Sequence, residues 1–205
     1  DAESGMTNDQ ILKAYSDNIK EAVLVNAEGN VVGKMQTEAK NIELKGNSDL
    51  KLQSTLIKKA SEGDAAAKAE IALPVYIFNI DGQDVPVVPC YGAGLWGPIW
   101  GYLAFEGDMN TIEGAVFDHK GETPGLGAEI ATNWFRNNFT GKKIYNAEGE
   151  FTSVKVVKGG AAEDDINGVD AISGGTITSQ ALEKAIKSWL EAYVPYFETL
   201  KAVEE

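Results

Sequence analysis

The clearest chemical signal in the sequence is the run from Asp170 to Thr178, which reads Asp-Ala-Ile-Ser-Gly-Gly-Thr-Ile-Thr. It directly precedes a predicted helix. Glycines let a backbone approach a ligand closely, and the first N–H groups of a helix attract an anion. The run is therefore suited to a phosphate held beside a hydroxyl. Its spacing alone still favours a glycine turn with a Ser or Thr helix cap, because such caps are common.

A second run, Gly121 to Gly127, reads Gly-Glu-Thr-Pro-Gly-Leu-Gly. Pro124 fixes one backbone dihedral, and the two glycines that follow permit positive φ. A loop of this rigidity can present Glu122, Thr123 and Leu126 to a planar ligand. Taken alone, the pattern favours an ordinary turn that leads into a helix.

A third run, Gly92 to Gly97, places an aromatic ring between glycines in the order Gly-Ala-Gly-Leu-Trp-Gly. Such a ring can form a stacking wall for a ligand. The pattern is more typical of a core residue beside an irregular strand, so the local interpretation favours structure over binding.

The 205-residue composition excludes several classes of function. The chain has one cysteine and one histidine, so an internal disulfide, a Cys-rich zinc site and a two-histidine metal site are impossible. Cys90 is expected to be an inert core thiol, and His119 a solvated side chain in a polar turn. With 31 acidic and 18 basic residues the net charge is −13, which argues against nucleic-acid binding. The acidic loop at residues 163–165, with Asp170, could bind a hard cation, but a solvated loop is favoured.

The predicted class is α+β, an antiparallel sheet flanked by helices with a long C-terminal helix. The domain prediction is a helical and hairpin segment at residues 1–70, packed on a domain at 71–205, in one compact unit. The predicted helices are Thr7–Glu21 with Thr7 as its cap, segments near Thr55–Ala60 and Ala65–Glu70, Ala128–Asn137, and a final helix that Pro195 should kink or end. Apolar residues at spacings of three and four predict one face of this final helix, namely Leu182, Ile186, Trp189, Leu190, Tyr193, Phe197 and Leu200. The predicted strands are Ala22–Val25, Val31–Gly33, Ile71–Ile80, Val85–Cys90, Ile99–Phe105, Thr111–Phe117 and Glu150–Lys158, with residues 159–170 as a loop. The first six strands are predicted to form three successive hairpins, and Asp81-Gly82 in the second is a strong hairpin signal.

No stretch of the sequence is typical of a membrane-spanning helix. The 21 uncharged residues from Val85 to Phe105 contain three prolines and four glycines, which prevent a continuous helix. The chain begins at Asp1 rather than Met, so a processed or a trimmed protein is expected, from which an anchor could have been removed.

Together the three runs resemble the FMN-binding domain of the C subunit of the sodium-translocating NADH:quinone reductase. That family's pattern includes Gly-x-Gly-Leu-Trp, Glu-Thr-Pro-Gly-Leu-Gly and Asp-x-x-Ser/Thr-Gly-Ala-Thr. These motifs stand here, in the family's order, at Gly92–Trp96, Glu122–Gly127 and Asp170–Thr176. The resemblance extends over about residues 71 to 200. One departure is Gly175, where the pattern has Ala.

The resemblance implies an FMN joined through its phosphate to Thr176 by a separate flavin transferase that recognises Asp170. The remaining implied FMN-binding residues are Ser173, Gly174, Gly175 and Thr178 at the phosphate, Glu122, Thr123, Leu126 and Gly127 along the ring or ribityl chain, and Leu95 and Trp96 on the apolar side. No catalytic residue and no metal ligand is implied, because the redox chemistry would belong to the flavin.

The resemblance also implies partners and a location. The chain would be the soluble domain of a flavoprotein subunit, inactive alone, that relays electrons with the other subunits of the reductase. An N-terminal anchor ahead of Asp1 would hold it at the inner membrane, on the extracytoplasmic (periplasmic) side.

Three alternatives stand beside this interpretation. The related FMN-carrying G subunit of the Rnf-type electron-transport complex shares two of the motifs, but the Gly-Leu-Trp turn and Trp134 favour the sodium pump. A non-enzymatic extracytoplasmic binding module would use Thr176 only as a helix cap. A metal-dependent hydrolase built on the acidic loop is disfavoured, because the sequence offers so few nitrogen ligands.

Overall fold

The computed structural model describes residues 6–38 and 46–201, in which one six-stranded antiparallel sheet carries helices on its faces. The strand order is β2-β1-β3-β4-β5-β6, and a separate pair, β7 and β8, is parallel. The strands are β1 (Ile19–Val25), β2 (Val31–Lys34), β3 (Leu73–Ile80), β4 (Gln83–Ala93), β5 (Pro98–Phe105), β6 (Ile112–His119), β7 (Lys155–Val157) and β8 (Gly168–Asp170). The helices are α1 (Asn8–Asn18), α2 (Gly46–Ser61), α3 (Ala65–Ala69), α4 (Asn133–Asn137) and α5 (Thr176–Lys201). The predicted α+β class is confirmed, whereas Asp1 and its expected anchor lie outside the described residues.

The three predicted hairpins of the large sheet are confirmed. Between β3 and β4 the chain reverses over Asp81 and Gly82, whose φ angles are 51° and 86°. Two successive positive φ angles give a turn whose twist matches that of the flanking strands. The first hairpin joins the same sheet, because β1 pairs with β3. The predicted boundary at residue 70 stays a prediction.

The first helix begins as predicted but ends earlier. Thr7 caps it in a reciprocal arrangement, because the Thr7 hydroxyl accepts from the Gln10 N–H and the Gln10 side chain accepts from the Thr7 N–H. The prediction that the helix reaches Glu21 is wrong, since β1 starts at Ile19. Valines at alternate positions of β1 bury one face of the strand, and pairing with β3 overrides helix propensity there.

The segment expected to be a helix at Ala128–Asn137 is broken at Thr132. A 3-10 turn at Gly127–Ala131 precedes α4, and Thr132 between them is extended. The Thr132 hydroxyl donates to the Glu129 carbonyl oxygen at 2.6 Å, which offers the backbone an alternative to a continuous helix.

The region after residue 150 differs most from the prediction. Of the predicted strand at 150–158, Lys155–Val157 forms a strand and Phe151 forms only an isolated bridge with Tyr145, and the predicted loop at 159–170 ends in the strand Gly168–Asp170. Ser153 has a φ of 61°, which interrupts the expected strand. A parallel pair only three residues long leaves too little alternation to be recognised in a sequence.

Helix α5 crosses the inner face of the sheet and forms the centre of the core. The face predicted from its spacing is confirmed, with Leu200 half-buried and the other members buried, namely Leu182, Ile186, Trp189, Leu190, Tyr193 and Phe197. Two of its rings also bond to strand carbonyl oxygens, since Trp189 Nε1 donates to Tyr91 at 3.0 Å and the Tyr193 hydroxyl donates to Pro74 at 2.6 Å. The helix does not end at Pro195 but continues to Lys201.

Two further expectations concern Cys90 and the membrane. Cys90 is fully buried in β4, and burial raises the pKa of its thiol to about 12, as expected of an inert core residue. Among the helices of the described residues, none has both the length and the apolarity needed to cross a membrane.

The sequence Asn-Ala-Glu-Gly occurs twice, and both copies form the same turn. Asn26 and Asn146 each accept two backbone N–H bonds through the side-chain oxygen, and Gly29 and Gly149 have φ angles of 82° and 80°. Their surroundings differ. A Cβ on Gly29 would lie 2.5 Å from the carbonyl carbon of Pro195, whereas a Cβ on Gly149 would meet nothing within 4 Å.

Replacing Gly29 by Ala is therefore expected to cost more stability than replacing Gly149 by Ala. Both variants lose about 1 kcal/mol or more by placing an alanine in a left-handed conformation, and only Gly29→Ala also forces the turn away from α5. Urea unfolding of the two variants measures the difference, and equal losses would show that the turn at Gly29 does not pack against α5.

Candidate functional site

The three runs singled out in the sequence meet around Thr176, the first residue of α5. Two clefts open beside it. The first, called the Trp96 cleft, has a volume of about 430 Å³, and the second, the Trp134 cleft, about 730 Å³. Thr176 and Gly174 line both clefts. The Trp96 cleft is completed by Leu95, Trp96, Glu122, Thr123, Leu126, Gly127, Gly175, Ile177 and Thr178.

The start of α5 is held by Ser179, which is fully buried. Its hydroxyl donates to the Gly175 carbonyl oxygen at 3.0 Å and accepts from the Ile172 N–H at 3.2 Å. The Gly175 N–H bonds back to the Ile172 carbonyl oxygen at 3.0 Å. These bonds close the loop before Thr176 into one turn. Sequence reasoning missed Ser179, although its position three residues into a helix that follows a glycine turn was a signal for such a role.

Glycines 174 and 175 bring the loop that precedes Thr176 into direct contact with Leu126. A Cβ on Gly174 would lie 2.7 Å from Leu126 Cδ2, and one on Gly175 would lie 3.0 Å from the Leu126 carbonyl oxygen. The Gly175 Cβ would also lie 2.7 Å from Cγ2 of Ile172. Gly175 stands where the family pattern has Ala. With Ile172 in its present position, there is no room for the methyl group of an alanine there.

Glu122 points inward, and its side chain joins two of the runs. The residue is only 4% exposed. Its Oε1 accepts from the Trp96 N–H at 2.8 Å, and its Oε2 accepts from the Thr178 hydroxyl at 2.5 Å. Burial raises the pKa of this carboxyl, but the hydrogen bonds it accepts outweigh burial and leave the pKa below its ordinary value. Glu122 is therefore ionised at neutral pH.

His119 takes part in the same arrangement. It is half-buried, and its Nδ1 accepts from the Glu122 N–H at 3.1 Å, which fixes the start of the loop. The expectation of a solvated histidine is corrected to this extent. The spacing of three residues between His119 and Glu122 is typical of a side chain that closes a turn, and could have signalled the contact.

The rims of the two clefts are apolar and open to solvent. Trp96 is 68% exposed and Ile177 is 59% exposed, and Leu95, Leu126 and Trp134 are also exposed. Large apolar side chains grouped around one point of a surface mark a ligand or partner site. The resemblance implied Leu95 and Trp96 for the apolar side and Leu126 along the ring or ribityl chain, and it did not include Ile177.

The remaining predicted residues differ in their exposure to solvent. Thr123, Ser173 and Gly174 are exposed, while Gly127, Gly175 and Thr178 are buried. Asp170 lines the Trp134 cleft together with Lys158, and its Oδ1 accepts from the Ala161 N–H at 2.8 Å. In the part of the chain that the structure describes, no three His, Cys, Asp or Glu residues are grouped to hold a metal ion.

The geometry fits a ligand that has both an anionic group and a flat apolar part. Thr176 stands at the positive end of a 26-residue helix, where backbone N–H groups lack helical partners. Its hydroxyl makes no hydrogen bond within residues 6–38 and 46–201, so it is available to a ligand. The clefts have the volume of ordinary cofactor sites, and the exposed rings and aliphatic side chains around them suit a planar ring system.

Comparison with known proteins also indicates a ligand with an anionic group and a flat ring system. Residues 94–191, which contain the first and second runs and most of the third, match the family model described as FMN-binding domain. The C subunit of the Na(+)-translocating NADH-quinone reductase from Parabacteroides distasonis has a crystal structure that superposes with a TM-score of 0.72. It shares 40% identity, and the match covers 95% of this chain and 85% of that one.

Curated relatives carry the same description. The C subunit of the reductase from Vibrio alginolyticus is 33% identical over 163 residues, which cover 80% of this chain and 60% of that protein. Its counterpart from Neisseria meningitidis serogroup A is 32% identical over 196 residues, with coverages of 93% and 73%. The chain thus spans between three fifths and three quarters of the length of these relatives.

The packing at Gly175 predicts that Gly175→Ala is destabilising. The new methyl group must displace Ile172 or the Leu126 carbonyl, at a cost of about 1–3 kcal/mol for overpacking. Gly107→Ala is the matched control, because a Cβ at that position would meet nothing within 4 Å. Urea unfolding measures both, and a Gly175→Ala variant as stable as the control would contradict the close approach of the two loops.

The lowered pKa of Glu122 predicts a pH-dependent contribution to stability. A carboxyl whose pKa is lower in the folded state stabilises the fold above its ordinary pKa of 4.5, and this advantage disappears as pH falls through the folded-state pKa. Wild type should therefore exceed Glu122→Gln in stability at pH 7 and converge with it in acid. Urea unfolding midpoints between pH 7 and pH 3 measure this, with the exposed Glu106→Gln as control. A constant gap across that range would show that ionisation of Glu122 has no role.

Proposed function

Because this chain belongs to the C-subunit family of the Na(+)-translocating NADH-quinone reductase, we propose that it carries FMN and relays electrons within such a reductase. The observation that carries the proposal is the position of the Thr176 hydroxyl. This hydroxyl lies at the N-terminus of α5, on a residue that lines both clefts, and it makes no hydrogen bond within residues 6–38 and 46–201.

Thr176 is the proposed attachment point of the cofactor. A phosphoester at this residue would join its Oγ to the phosphorus of FMN. The transferase would take FMN from a phosphoanhydride donor, so the anhydride P–O bond at the FMN phosphorus breaks, the other phosphate of the donor leaves, and the hydroxyl proton passes to the transferase. The free N–H groups at the start of α5 then stabilise the phosphate charge. Asp170, in the same cleft as Thr176, is the proposed recognition residue for the transferase.

The walls of the clefts are proposed to hold the ring system. Leu95, Trp96 and Leu126 offer apolar surface on one side of Thr176, and burying them under a flat ring removes that surface from water. Thr123, Ser173 and the backbone of Gly174 supply polar contacts at the cleft surface. Flavin, when bound, supplies the one- and two-electron chemistry that protein side chains lack.

The side chains of this chain then bind and orient the cofactor rather than react. The one thiol is buried in β4 with a raised pKa, and the buried Thr178 hydroxyl is bonded to the Glu122 carboxylate. A protein that tethers a redox group needs only to fix its position and its surroundings. This agrees with the scarcity of histidine and cysteine.

The partners and location are also proposed on the strength of the family. The electron donor and acceptor would be other subunits of the reductase, a flavin transferase would act during maturation, and an N-terminal anchor would place this domain at the extracytoplasmic side of the inner membrane. The alternative of a binding module without cofactor is weaker, because it gives no role to the FMN-binding match or to the two clefts at Thr176.

The covalent attachment predicts a specific result for Thr176→Ala. Wild type co-expressed with a flavin transferase should gain one FMN by intact-mass spectrometry, and the yellow colour should survive denaturation. Thr176→Ala should gain none, because the hydroxyl that forms the bond is gone.

Two controls sharpen this test. Thr176→Ser keeps a hydroxyl at the same place and should still be loaded, and Thr199→Ala, near the other end of α5, should be loaded as wild type. An adduct that persists in Thr176→Ala, or is absent from wild type, would overturn the assignment.

A further inference from the structure

The Glu122 carboxylate connects the backbone of one cleft wall to the first turn of α5. Oε1 bonds to the Trp96 N–H and Oε2 to the Thr178 hydroxyl, so the two oxygens face different segments of the chain. Thr178 stands two residues after Thr176. The carboxylate therefore spans the floor of the Trp96 cleft, between its aromatic wall and the proposed attachment point.

At two glycines the backbone passes so close to this carboxylate that a side chain would not fit. A Cβ on Gly94 would lie 2.6 Å from Oε1, and a Cβ on Gly127 would lie 2.6 Å from Oε2. Both distances are shorter than real Cβ atoms show, so any other residue would force the carboxylate to move. The backbone approaches Glu122 closely from two sides, so its carboxylate has little room to turn toward a ligand in the cleft.

The hydroxyl of Thr178 is already engaged in the hydrogen bond to Glu122. The residue is 1% exposed, and its hydroxyl has a single proton, which it gives to Glu122 at 2.5 Å. The same proton cannot be donated to a phosphate. A hydrogen bond from a neutral donor to an ionised acceptor is also stronger than one between neutral groups, so the pair resists exchange for a ligand.

We propose that Glu122 and Thr178 are positioning residues for FMN attachment, rather than FMN contacts as the family resemblance implied. The ionised carboxylate fixes the Leu95–Trp96 wall relative to the first turn of α5, and so sets the direction in which the Thr176 hydroxyl meets the cofactor. This inference rests on the proposed attachment of FMN at Thr176.

Replacing Thr178 by Val tests the inference with the least change of shape. Valine keeps the shape and replaces the hydroxyl by a methyl group, so Glu122 Oε2 loses its donor and the wall is released. The fraction of protein carrying FMN is followed by intact-mass spectrometry after induction of a co-expressed flavin transferase. Loading of Thr178→Val should be slower by about tenfold or more, as expected when a reacting group is displaced by a fraction of an ångström.

Two further variants separate positioning from stability. Thr178→Ser restores the hydroxyl and should restore the loading rate. Thr111→Val removes a bond of the same type, from the Thr111 hydroxyl to Asp108 Oδ2 at 2.6 Å, in the β5–β6 hairpin away from the clefts. It should lower stability yet load like wild type. Hydrogen exchange of the Trp96 amide should accelerate in Thr178→Val and stay unchanged in Thr111→Val.

The possible outcomes separate the positioning role of Thr178 from the attachment at Thr176. If Thr178→Val loads as fast as wild type while Thr176→Ala does not load, the attachment stands and the positioning role is wrong. If Thr111→Val is slowed as much as Thr178→Val, the effect is one of stability and the inference is again wrong. If wild type gains no FMN at Thr176, the attachment fails and the inference fails with it.

Discussion

The packing of α5 across the sheet is the constraint on which the other parts of this structure depend. A helix of 26 residues buries one apolar face against β3, β4 and β5, and hydrogen bonds from Trp189 and Tyr193 to strand carbonyl oxygens fix where along the sheet it lies. Burial is not directional, whereas these two bonds are. Together they fix the position of the N-terminus of the helix, and therefore of Thr176.

The site is assembled by polar side chains that face inward. Glu122, Thr178 and Ser179 are buried, and each bonds to a segment other than its own turn or to the loop that begins the helix. Exposed apolar side chains surround them. This inverts the usual distribution of polar and apolar groups, and such an inversion is expected where a surface is built for a ligand rather than for water.

Sequence patterns predicted the parts of this fold that local chemistry decides. The hairpin at Asp81-Gly82, the cap at Thr7 and the buried face of α5 each follow from a few neighbouring residues. The parallel pair β7–β8 and the break at Thr132 depend on contacts with distant segments, and neither leaves a local pattern. The same holds at the site, where spacing identified the three runs, but could not show that Glu122 faces inward, because that direction depends on Thr178, 56 residues away.

The repeated Asn-Ala-Glu-Gly turn separates what a short sequence decides from what its surroundings decide. Both copies close with the same backbone and asparagine bonds, yet the first is lodged against α5 and the second faces open space at its glycine. The first turn therefore acts as a joint between the edge of the sheet and the far end of the helix that carries Thr176. The second is a free surface loop, where a fluorophore or an added peptide could be grafted without reaching the core.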